Sequence, residues 1–577
     1  MRGQDDTQDQ YRARTEAHTE AHTLARPARR AIRCIALATT TLLAACAGLR
    51  YEGPGPNHVA PAPAATAAPA TATAPSAIPD RTTLIGLVNR ATWGVTPTTL
   101  REVEARGWQA WFEDQLRPRD DGLPEAVRGA IAAMRISQES YDALMRSTTY
   151  ARLGPAGLGP EAGASIGLNI PSGMTPEQRQ AALEAYNRDL NELAREASSR
   201  SLLRAIHSRN QLHEQMSWFW MNHFSVFQGK ANVRGMMADY EDHAIRPYAL
   251  GRFRDMLGAV ARHPAMLRFL DNDRNAAGRI NENLGRELLE LHTLGVDGGY
   301  TQQDVQELAR ILTGVGVAAL AGPNLTPRMA PRLAGQYVRE GLFEFNPARH
   351  DYGDKTLLGV RIAGRGLAEL DQALDLMARH PATARFIARK LASHFVADNP
   401  PAELVARMAA RFTATDGDIA AVVREMFASR EMRAALGTKF KDPQAWVVSA
   451  VRLVHDGDGA PPVLNMTPLL GLLNNLGEPL RGRRTPDGWP LTAEAWSGSG
   501  QMNARFEAAR ALAAGPPALR GPDAPQRRSP TPRLADSPVV QALTPTLAPA
   551  TRLALAQAAN PYEWNTLFLA APEMMHR

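Results

Sequence analysis

A polar face on one predicted helix carries the residue types that acid–base chemistry needs. The segment 281–295 reads Asn-Glu-Asn-Leu-Gly-Arg-Glu-Leu-Leu-Glu-Leu-His-Thr-Leu-Gly. At about 100° per residue, a helix places five polar side chains within an arc of roughly 140°: Glu282, Asn283, Arg286, Glu287 and Glu290. Leu284, Leu288 and Leu291 lie opposite and are predicted to face a core.

Two interpretations of this face are open. In a catalytic site, Glu287 or Glu290 would act as the general base, and Arg286 would orient or neutralise an anionic group. In a structural face, Arg286 would form i,i+4 ion pairs with Glu282 and Glu290, each contributing only a few tenths of a kcal/mol. The structural interpretation is the ordinary one for a charged helix face.

Oxygen-bearing residues just before this helix have the spacing of a cation-binding loop. Positions 1, 3, 5 and 12 of a twelve-residue EF-hand loop match Asp271, Asp273, Asn275 and Glu282. Ala276 stands at position 6, where the EF-hand turn needs glycine, and Arg279 brings positive charge to position 9. The spacing predicts a site for a divalent cation such as Ca²⁺. The alternative is that these carboxylates only accept hydrogen bonds from Arg286 and backbone amides.

His350 and Asp351 are a further candidate acid–base or ligand pair. The alternative is a turn in which the Asp351 carboxylate accepts a backbone N–H. No His-Glu-x-x-His motif occurs in the chain, so the sequence predicts no zinc-protease site.

Composition excludes several classes of function. The 577 residues are 44% apolar and 21% charged, as in a globular protein that buries a core. The net charge is +6, and no run of lysine and arginine with interleaved aromatics occurs, so we predict no nucleic-acid partner. Cys34 and Cys46 are the only cysteines, and both precede the predicted folded body, which therefore has no disulfide and no thiolate ligand.

The N-terminal residues indicate export and lipid attachment. A basic stretch ends at Arg33, and an apolar run of about a dozen residues, too short to span a bilayer, follows from Cys34. It ends Leu-Ala-Ala-Cys at Cys46, which resembles a bacterial lipobox, so we predict a signal region at 1–45 and lipid on Cys46. An ordinary signal peptide is the alternative. Residues 46–79, rich in Pro, Ala and Thr, are predicted to tether the protein to the cell envelope, at the outer membrane or its periplasmic face.

The predicted body, residues 80–577, is mainly α: a large multi-helical domain with at most a short β-hairpin. Capping signals such as Thr96-Pro97 and Thr301 with Asp304 mark helix starts. The sequence Ala-Arg-His-Pro-Ala occurs at 261–265 and again at 378–382, which predicts repeated helix–turn–helix corners. Strand signals are confined to 336–345 and 356–362. Breaker-rich residues predict loops at 153–175 and 515–550.

Several short stretches together resemble one bacterial family, catalogued as domain of unknown function 1800. They are Trp220-Met221-Asn222-His223-Phe224, Tyr240-Glu241, Asn281-Glu282-Asn283, Thr313-Gly314, His350-Asp351, Lys439-Phe440-Lys441, Asp487-Gly488-Trp489-Pro490 and Ala571-Pro572-Glu573-Met574. The resemblance covers about residues 80–577. It implies an exported, mainly helical protein without a settled activity, and an exported alkaline-phosphatase-like protein as a partner. Gly285 stands where the family pattern has alanine, and a mid-helix glycine costs about 1 kcal/mol.

The sequence therefore leaves two hypotheses for the function open. One is a membrane-tethered envelope enzyme, a hydrolase that uses the carboxylate-rich helix with or without a divalent cation. The other is a non-catalytic envelope lipoprotein that docks an exported partner and whose polar residues fix helix packing. A pocket over the carboxylate face would favour the enzyme, and a filled, dry network would favour the docking protein.

Overall fold

A computed structural model of the protein describes residues 79–153, 175–318, 329–456, 462–520 and 531–577. The predicted signal region, Cys46, all but the last residue of the predicted tether, and most of the predicted 153–175 loop lie outside these residues. The described residues belong to one unit, which extends from Ala77 to Arg577.

Side-chain caps define where the first helices begin. Asp80 accepts a hydrogen bond from the Thr83 N–H at 3.0 Å, and Thr96 accepts one from the Thr99 N–H at 3.2 Å. Pro97 occupies the first turn of the second helix, as predicted. The helices up to residue 223 are α1 (Arg81–Ala91), α2 (Pro97–Arg106), α3 (Trp108–Leu116), α4 (Glu125–Ala132), α5 (Arg135–Gln138), α6 (Tyr141–Leu153), α7 (Pro176–His207) and α8 (Gln211–His223).

Both predicted Ala-Arg-His-Pro-Ala corners form. In each, the histidine caps the helix that the next proline begins: His263 Nδ1 accepts from the Ala265 N–H at 3.1 Å, and His380 Nδ1 from the Ala382 N–H at 3.2 Å. The repeated corners are therefore confirmed. The next helices are α9 (Met237–Asp239), α10 (Phe253–Arg262), α11 (Pro264–Phe269), α12 (Asn283–Glu287) and α13 (Gln302–Ile311), with π-helical turns at Tyr240–Ile245 and Leu288–Thr293.

The strands of the described residues form two small antiparallel sheets. After the short helix α14 (Pro331–Ala334), β2 (Val338–Glu340) and β3 (Phe343–Phe345) form a hairpin, and β1 (Val315–Val317) pairs with the other edge of β3. β4 (Lys355–Leu357) pairs with β5 (Val360–Ile362). Leu358 and Gly359 connect them with φ of 50° and 76°, values that suit a tight hairpin turn. The two predicted strand segments thus lie in separate hairpins, and the mainly α class is confirmed.

From Ala368 onward, the described residues form helices joined by loops and contain no β-strand. Its helices are α15 (Ala368–Arg379), α16 (Pro381–Phe395), α17 (Ala402–Ala414), α18 (Ile419–Ala428), α19 (Arg430–Ala434), α20 (Pro443–His455), α21 (Thr467–Asn475), α22 (Ser499–Ala513), α23 (Pro538–Leu543), α24 (Pro549–Ala556) and α25 (Pro561–Ala570). The helix α23 corrects the predicted 515–550 loop. Pro538 begins this helix, and burial of Val539 and Val540 in the core holds it in place.

Single-turn 3₁₀ segments join many of these helices. They are Val233–Met236, Arg246–Tyr248, Asn272–Arg274, Pro347–Arg349, Ala493–Ala495, Pro517–Leu519, Leu534–Asp536, Thr544–Thr546 and Pro572–Met575.

Two clusters of buried apolar side chains make up the core, and Trp218 packs against both. The guanidinium of Arg90, fully buried, ties the first helix to distant segments by donating to the carbonyls of Phe395, Val396, Ala435 and Arg577. None of the helices in the described ranges is long and apolar enough to cross a membrane.

Candidate functional site

The polar helix at 281–295 has a shorter regular part than the sequence predicts, and its register changes partway along the segment. Regular α-helix covers only Asn283–Glu287, and a π-helical turn follows at Leu288–Thr293. A π turn holds an extra residue, so the positions after it rotate relative to a 100° pattern. As a result Leu289 and His292 are fully buried, while Leu291, predicted to face the core, is only half-buried.

Gly285 accounts for the close approach of this helix to α13. A side chain there would place its Cβ 3.2 Å from the Ala309 nitrogen and 3.3 Å from the Val305 oxygen. Both are backbone atoms of α13, which cannot move aside as the end of a side chain can. The departure from alanine therefore coincides with a tight helix–helix contact.

Two of the predicted polar residues are paired with each other. Arg286 Nη2 donates to Glu282 Oε2 at 2.8 Å and to Gln302 Oε1 at 2.9 Å. Among the described residues no ion pair joins Arg286 to Glu290, which instead accepts from the Tyr300 hydroxyl at 3.2 Å. The structural interpretation therefore accounts for Arg286 and Glu282.

Glu287 differs from its neighbours on the helix. Its side chain is half-buried and has no hydrogen-bond or ion-pair partner among the described residues. Burial raises the pKa of Glu287, the nearby carboxylates of Glu290 and Asp487 raise it further, and Arg286 partly opposes them. A carboxylate with these properties is available to accept a proton.

An open groove of about 500 Å³ lies over Glu287. It is lined by Phe227, Lys230, Phe269, Leu270, Asp271, Asn283, Glu287, Arg484 and Pro486. Lys230 Nζ contacts Asp271 Oδ2 at 2.8 Å, whereas Arg484 is exposed and forms no ion pair with a described residue. The groove therefore combines an unpartnered carboxylate, an available guanidinium and an apolar wall.

The loop that contributes Arg484 is held by Asn222. The Asn222 side chain donates to the Trp489 carbonyl at 2.9 Å and accepts from the Trp489 N–H at 2.6 Å. Gly488 has a φ of 77°, and a Cβ there would lie 2.2 Å from the Asn222 carbonyl oxygen, so only glycine fits. Two of the stretches that carry the family resemblance thus meet beside the groove.

The structure does not gather the four predicted cation ligands into one site. No group of three or more acidic, histidine or cysteine side chains within the described ranges is placed to hold a metal ion. Asp271 pairs with Lys230, and Glu282 with Arg286. These ion pairs reduce the electrostatic demand for a cation at the two carboxylates, and the Ca²⁺ site stays a prediction.

The other two predicted ligands are also engaged. Asp273 lies 3.5 Å from Arg268 Nε, and burial raises the pKa of its carboxyl although Arg268 opposes the shift. Asn275 is fully buried: its Nδ2 donates to the Ala309 carbonyl at 2.8 Å, and its Oδ1 accepts from the Asn281 N–H at 3.0 Å. Asn275 therefore anchors the start of the polar helix.

His350 and Asp351 belong to a buried network and not to an open acid–base pair. His350 Nδ1 contacts the Thr313 carbonyl at 2.7 Å and its Nε2 contacts Glu369 Oε1 at 3.0 Å, so both ring nitrogens are occupied. Asp351 Oδ1 accepts from the Gly353 N–H at 2.8 Å. The turn of the alternative interpretation is therefore present, and a catalytic role for these two residues stays a prediction.

A small cavity of about 60 Å³, with room for roughly four water molecules, lies next to a second buried ion network. Glu241, in the π-helical turn Tyr240–Ile245, contacts Arg481 and lies 3.7 Å from both Arg204 and Arg246. Glu478 also lines this cavity, and burial raises the pKa of its carboxyl. Two different carboxyls therefore border one cavity: Glu241 is ionised and paired with arginines, whereas burial favours the neutral form of Glu478.

Sequence reasoning missed the groove's cations, Lys230 and Arg484, because they are distant in sequence from Glu287. The Asp-Gly-Trp-Pro stretch does signal a turn, but its position beside the polar helix depends on tertiary packing.

No curated protein and no solved structure matches the chain. A family model covers residues 86–576, nearly the whole of the described body. The chain therefore belongs to the family described as protein of unknown function (DUF1800).

Proposed function

We propose that this protein is a hydrolase of the cell envelope that acts in the groove over Glu287. The observation that carries the proposal is the Glu287 carboxylate: it is half-buried, has no partner among the described residues and faces a groove that also holds Arg484 and Lys230. Half-buried carboxylates with raised pKa in a groove are candidates for acid–base catalysis.

The residues suggest a division of roles. Glu287 would accept a proton from water, and the resulting hydroxide would attack the substrate's electrophilic centre, after which Glu287 returns the proton to the leaving group. Arg484 and Lys230 would bind an anionic part of the substrate, replacing the role first expected of Arg286. Phe227 and Phe269 would contact an apolar part.

The alternative is a non-catalytic lipoprotein that docks an exported partner, such as an alkaline-phosphatase-like protein. The hydrogen bonds that join Glu282 to Arg286 and Gln302 support this alternative, because a purely structural helix face would show the same pairing. The unpartnered Glu287 favours the hydrolase.

Replacing Glu287 with glutamine tests the proposal. The purified protein is assayed against chromogenic phosphoesters, carboxylic esters and amides that carry an anionic group. We expect Glu287→Gln to lower kcat by at least about 100-fold, because the amide cannot accept the proton. The rise of kcat/KM with pH through the raised pKa of Glu287 should disappear in the same variant.

Glu282→Gln is the matched control, because Glu282 starts the same helix but is already paired. Its rate should stay within threefold of the wild type. Arg484→Met should raise KM for anionic substrates more than it lowers kcat. A Glu287→Gln protein with the wild-type rate would contradict the proposed role. Stoichiometric capture of an exported protein, without turnover of any substrate in the panel, would favour the docking alternative.

We also propose that Cys46 carries lipid and tethers the protein to the envelope. The basic stretch, the short apolar run and the Leu-Ala-Ala-Cys sequence support this proposal. Cells grown with a clickable palmitate analogue should label the wild type, and Cys46→Ser should abolish both the label and membrane fractionation. Cys34→Ser is the control and should keep both. A soluble, unlabelled wild type would contradict the tether.

A further inference from the structure

A larger cavity lies between the first helix and the C-terminal segments, and it shares no lining residue with the groove. Its volume is about 560 Å³, within the range of roughly 300–1,000 Å³ that small-molecule sites occupy. It is thus large enough for a ligand of substantial length.

The walls of this cavity are mostly apolar. They include Ile85, Val95, Leu436, Leu453, Val539, Leu543, Leu547, Phe568 and Met574. Thr82, Gly437 and Thr546 also line the cavity and are exposed, whereas Ile85 and Phe568 are almost fully buried. The cavity therefore has a mouth at solvent and an apolar interior.

One buried cation, Lys441, lines the cavity. Its ammonium donates to Ser449 Oγ at 3.1 Å and to the Met574 carbonyl at 3.0 Å, and both of these residues also line the cavity. No carboxylate among the described residues pairs with Lys441. Burial, together with the nearby Arg577 and Arg505, lowers the pKa of Lys441 to about 7.

A buried ammonium without a counter-ion is costly, so an anion placed beside it would be stabilised. Glu573 lines the cavity as well, but its carboxylate already accepts from the Ala548 N–H at 2.7 Å and from the Thr551 hydroxyl. The cavity thus offers one site for an anionic head and a long apolar wall for a chain.

We infer that this cavity binds a long-chain fatty carboxylate. The carboxylate would accept a hydrogen bond from Lys441 Nζ, and the alkyl chain would extend along the apolar wall toward the mouth at Thr546. This inference does not depend on the proposed hydrolase, because the two sites share no residue.

A catalytic serine–lysine pair is the competing interpretation of the same two side chains. Ser449 lies in the middle of α20, and its hydroxyl donates to the Trp446 carbonyl at 2.9 Å. Its own N–H is committed to the helix and cannot stabilise an oxyanion. The geometry therefore supports binding over acyl transfer.

Calorimetric titration with saturated carboxylates of eight to sixteen carbons tests the inference. The full chain with Cys46→Ser is used, so that no detergent competes for the site. Each added methylene should tighten Kd about fourfold until the cavity is filled. Alcohols of the same length should bind at least tenfold more weakly, because they lack the charge that pairs with Lys441.

Two variants localise the site. Lys441→Met should weaken carboxylate binding at least tenfold and leave alcohol binding within threefold. Leu543→Trp, which fills the cavity, should weaken both, and Leu553→Trp, at a side chain that is 60% exposed, should change neither. If Lys441→Met does not fold, Leu543→Trp decides the question alone.

Equal affinity for all chain lengths would overturn the inference, as would unchanged binding in Leu543→Trp. Hydrolysis of a long-chain ester that Ser449→Ala abolishes would overturn it in favour of the serine–lysine pair. If no turnover depends on Glu287, that result contradicts the proposed hydrolase in the groove and leaves the fatty-carboxylate site untouched.

Discussion

Replacing Glu241 with glutamine should lower the free energy of unfolding by about 3–5 kcal/mol, the cost of breaking a buried ion pair from one side. The Glu241 side chain contacts Arg481 and the Ser201 hydroxyl and lies 3.7 Å from Arg204 and Arg246. Without it, the Arg481 guanidinium keeps only the Ser198 and Ser201 hydroxyls as partners among the described residues. Urea unfolding followed by circular dichroism measures the loss.

The same network should make the protein sensitive to acid. Burial alone would raise the pKa of Glu241, but Arg481, Arg204 and the other arginines lower it to about 2 from an ordinary value of 4.5. Because the folded-state pKa is the lower one, the stabilisation is complete above about pH 4.5 and is lost as the pH falls toward 2. A shift of this size corresponds to about 3 kcal/mol of stability. In Glu241→Gln, the free energy of unfolding should therefore no longer fall by this amount as the pH drops from 4.5 toward 2.

Two controls separate this effect from a general loss of packing. Asp242→Asn lies in the same network, but its side chain is 26% exposed, so its loss of stability should be smaller. Glu241→Gln combined with Arg481→Met should lose less than the sum of the single changes, because no unpaired charge remains between them. Additive losses would show that the pair is not energetically coupled.

Helix starts were predictable because their causes are local. The cap at Thr96, the capping box of Thr301 with Asp304, and the His-Pro corners at 263 and 380 each involve residues within three positions of one another. A pattern of this kind is complete in a short stretch of sequence. The mainly α class follows from many such stretches.

Register inside the polar helix was not predictable in the same way. A pattern read at 100° per residue cannot show that Leu288–Thr293 forms a π turn, and for that reason the predicted core position of Leu291 was wrong and the burial of His292 was missed. The predicted ion pair between Arg286 and Glu290 does not form, and Glu290 lies within the same π turn. Asn283 and Glu287 precede it, and both line the groove.

Contacts between distant segments could not be predicted from one sequence. The Asp271–Lys230 pair accounts for one carboxylate that spacing alone assigned to Ca²⁺. The loop with Arg484 is held beside the groove by the contacts of Asn222 with the Trp489 backbone, 267 positions apart in sequence. Charge patterns show which groups need partners, but packing decides which partner each group receives.

The buried network around Glu369 shows most clearly how packing decides between structure and catalysis. Lys355 Nζ lies 2.5 Å from Glu369 Oε2, His350 Nε2 lies 3.0 Å from Oε1, and the Lys355 and Glu369 side chains are 0% exposed. Glu369 also accepts from the Gly366 N–H at 2.9 Å, near the start of α15. These contacts leave His350 no free nitrogen for a substrate.

Lys355→Met should therefore lower the free energy of unfolding by about 3–5 kcal/mol, because it leaves a buried carboxylate without its cation. The measurement is the urea midpoint, with turnover in the groove assayed beside it. Arg361→Met is the matched control: Arg361 lies on the partner strand and pairs with Asp354, but its side chain is 76% exposed, so the midpoint should not move. Adding Glu369→Gln to Lys355→Met should restore part of the loss. If Lys355→Met leaves stability unchanged but abolishes turnover in the groove, then the network serves catalysis and the structural assignment of His350 is wrong.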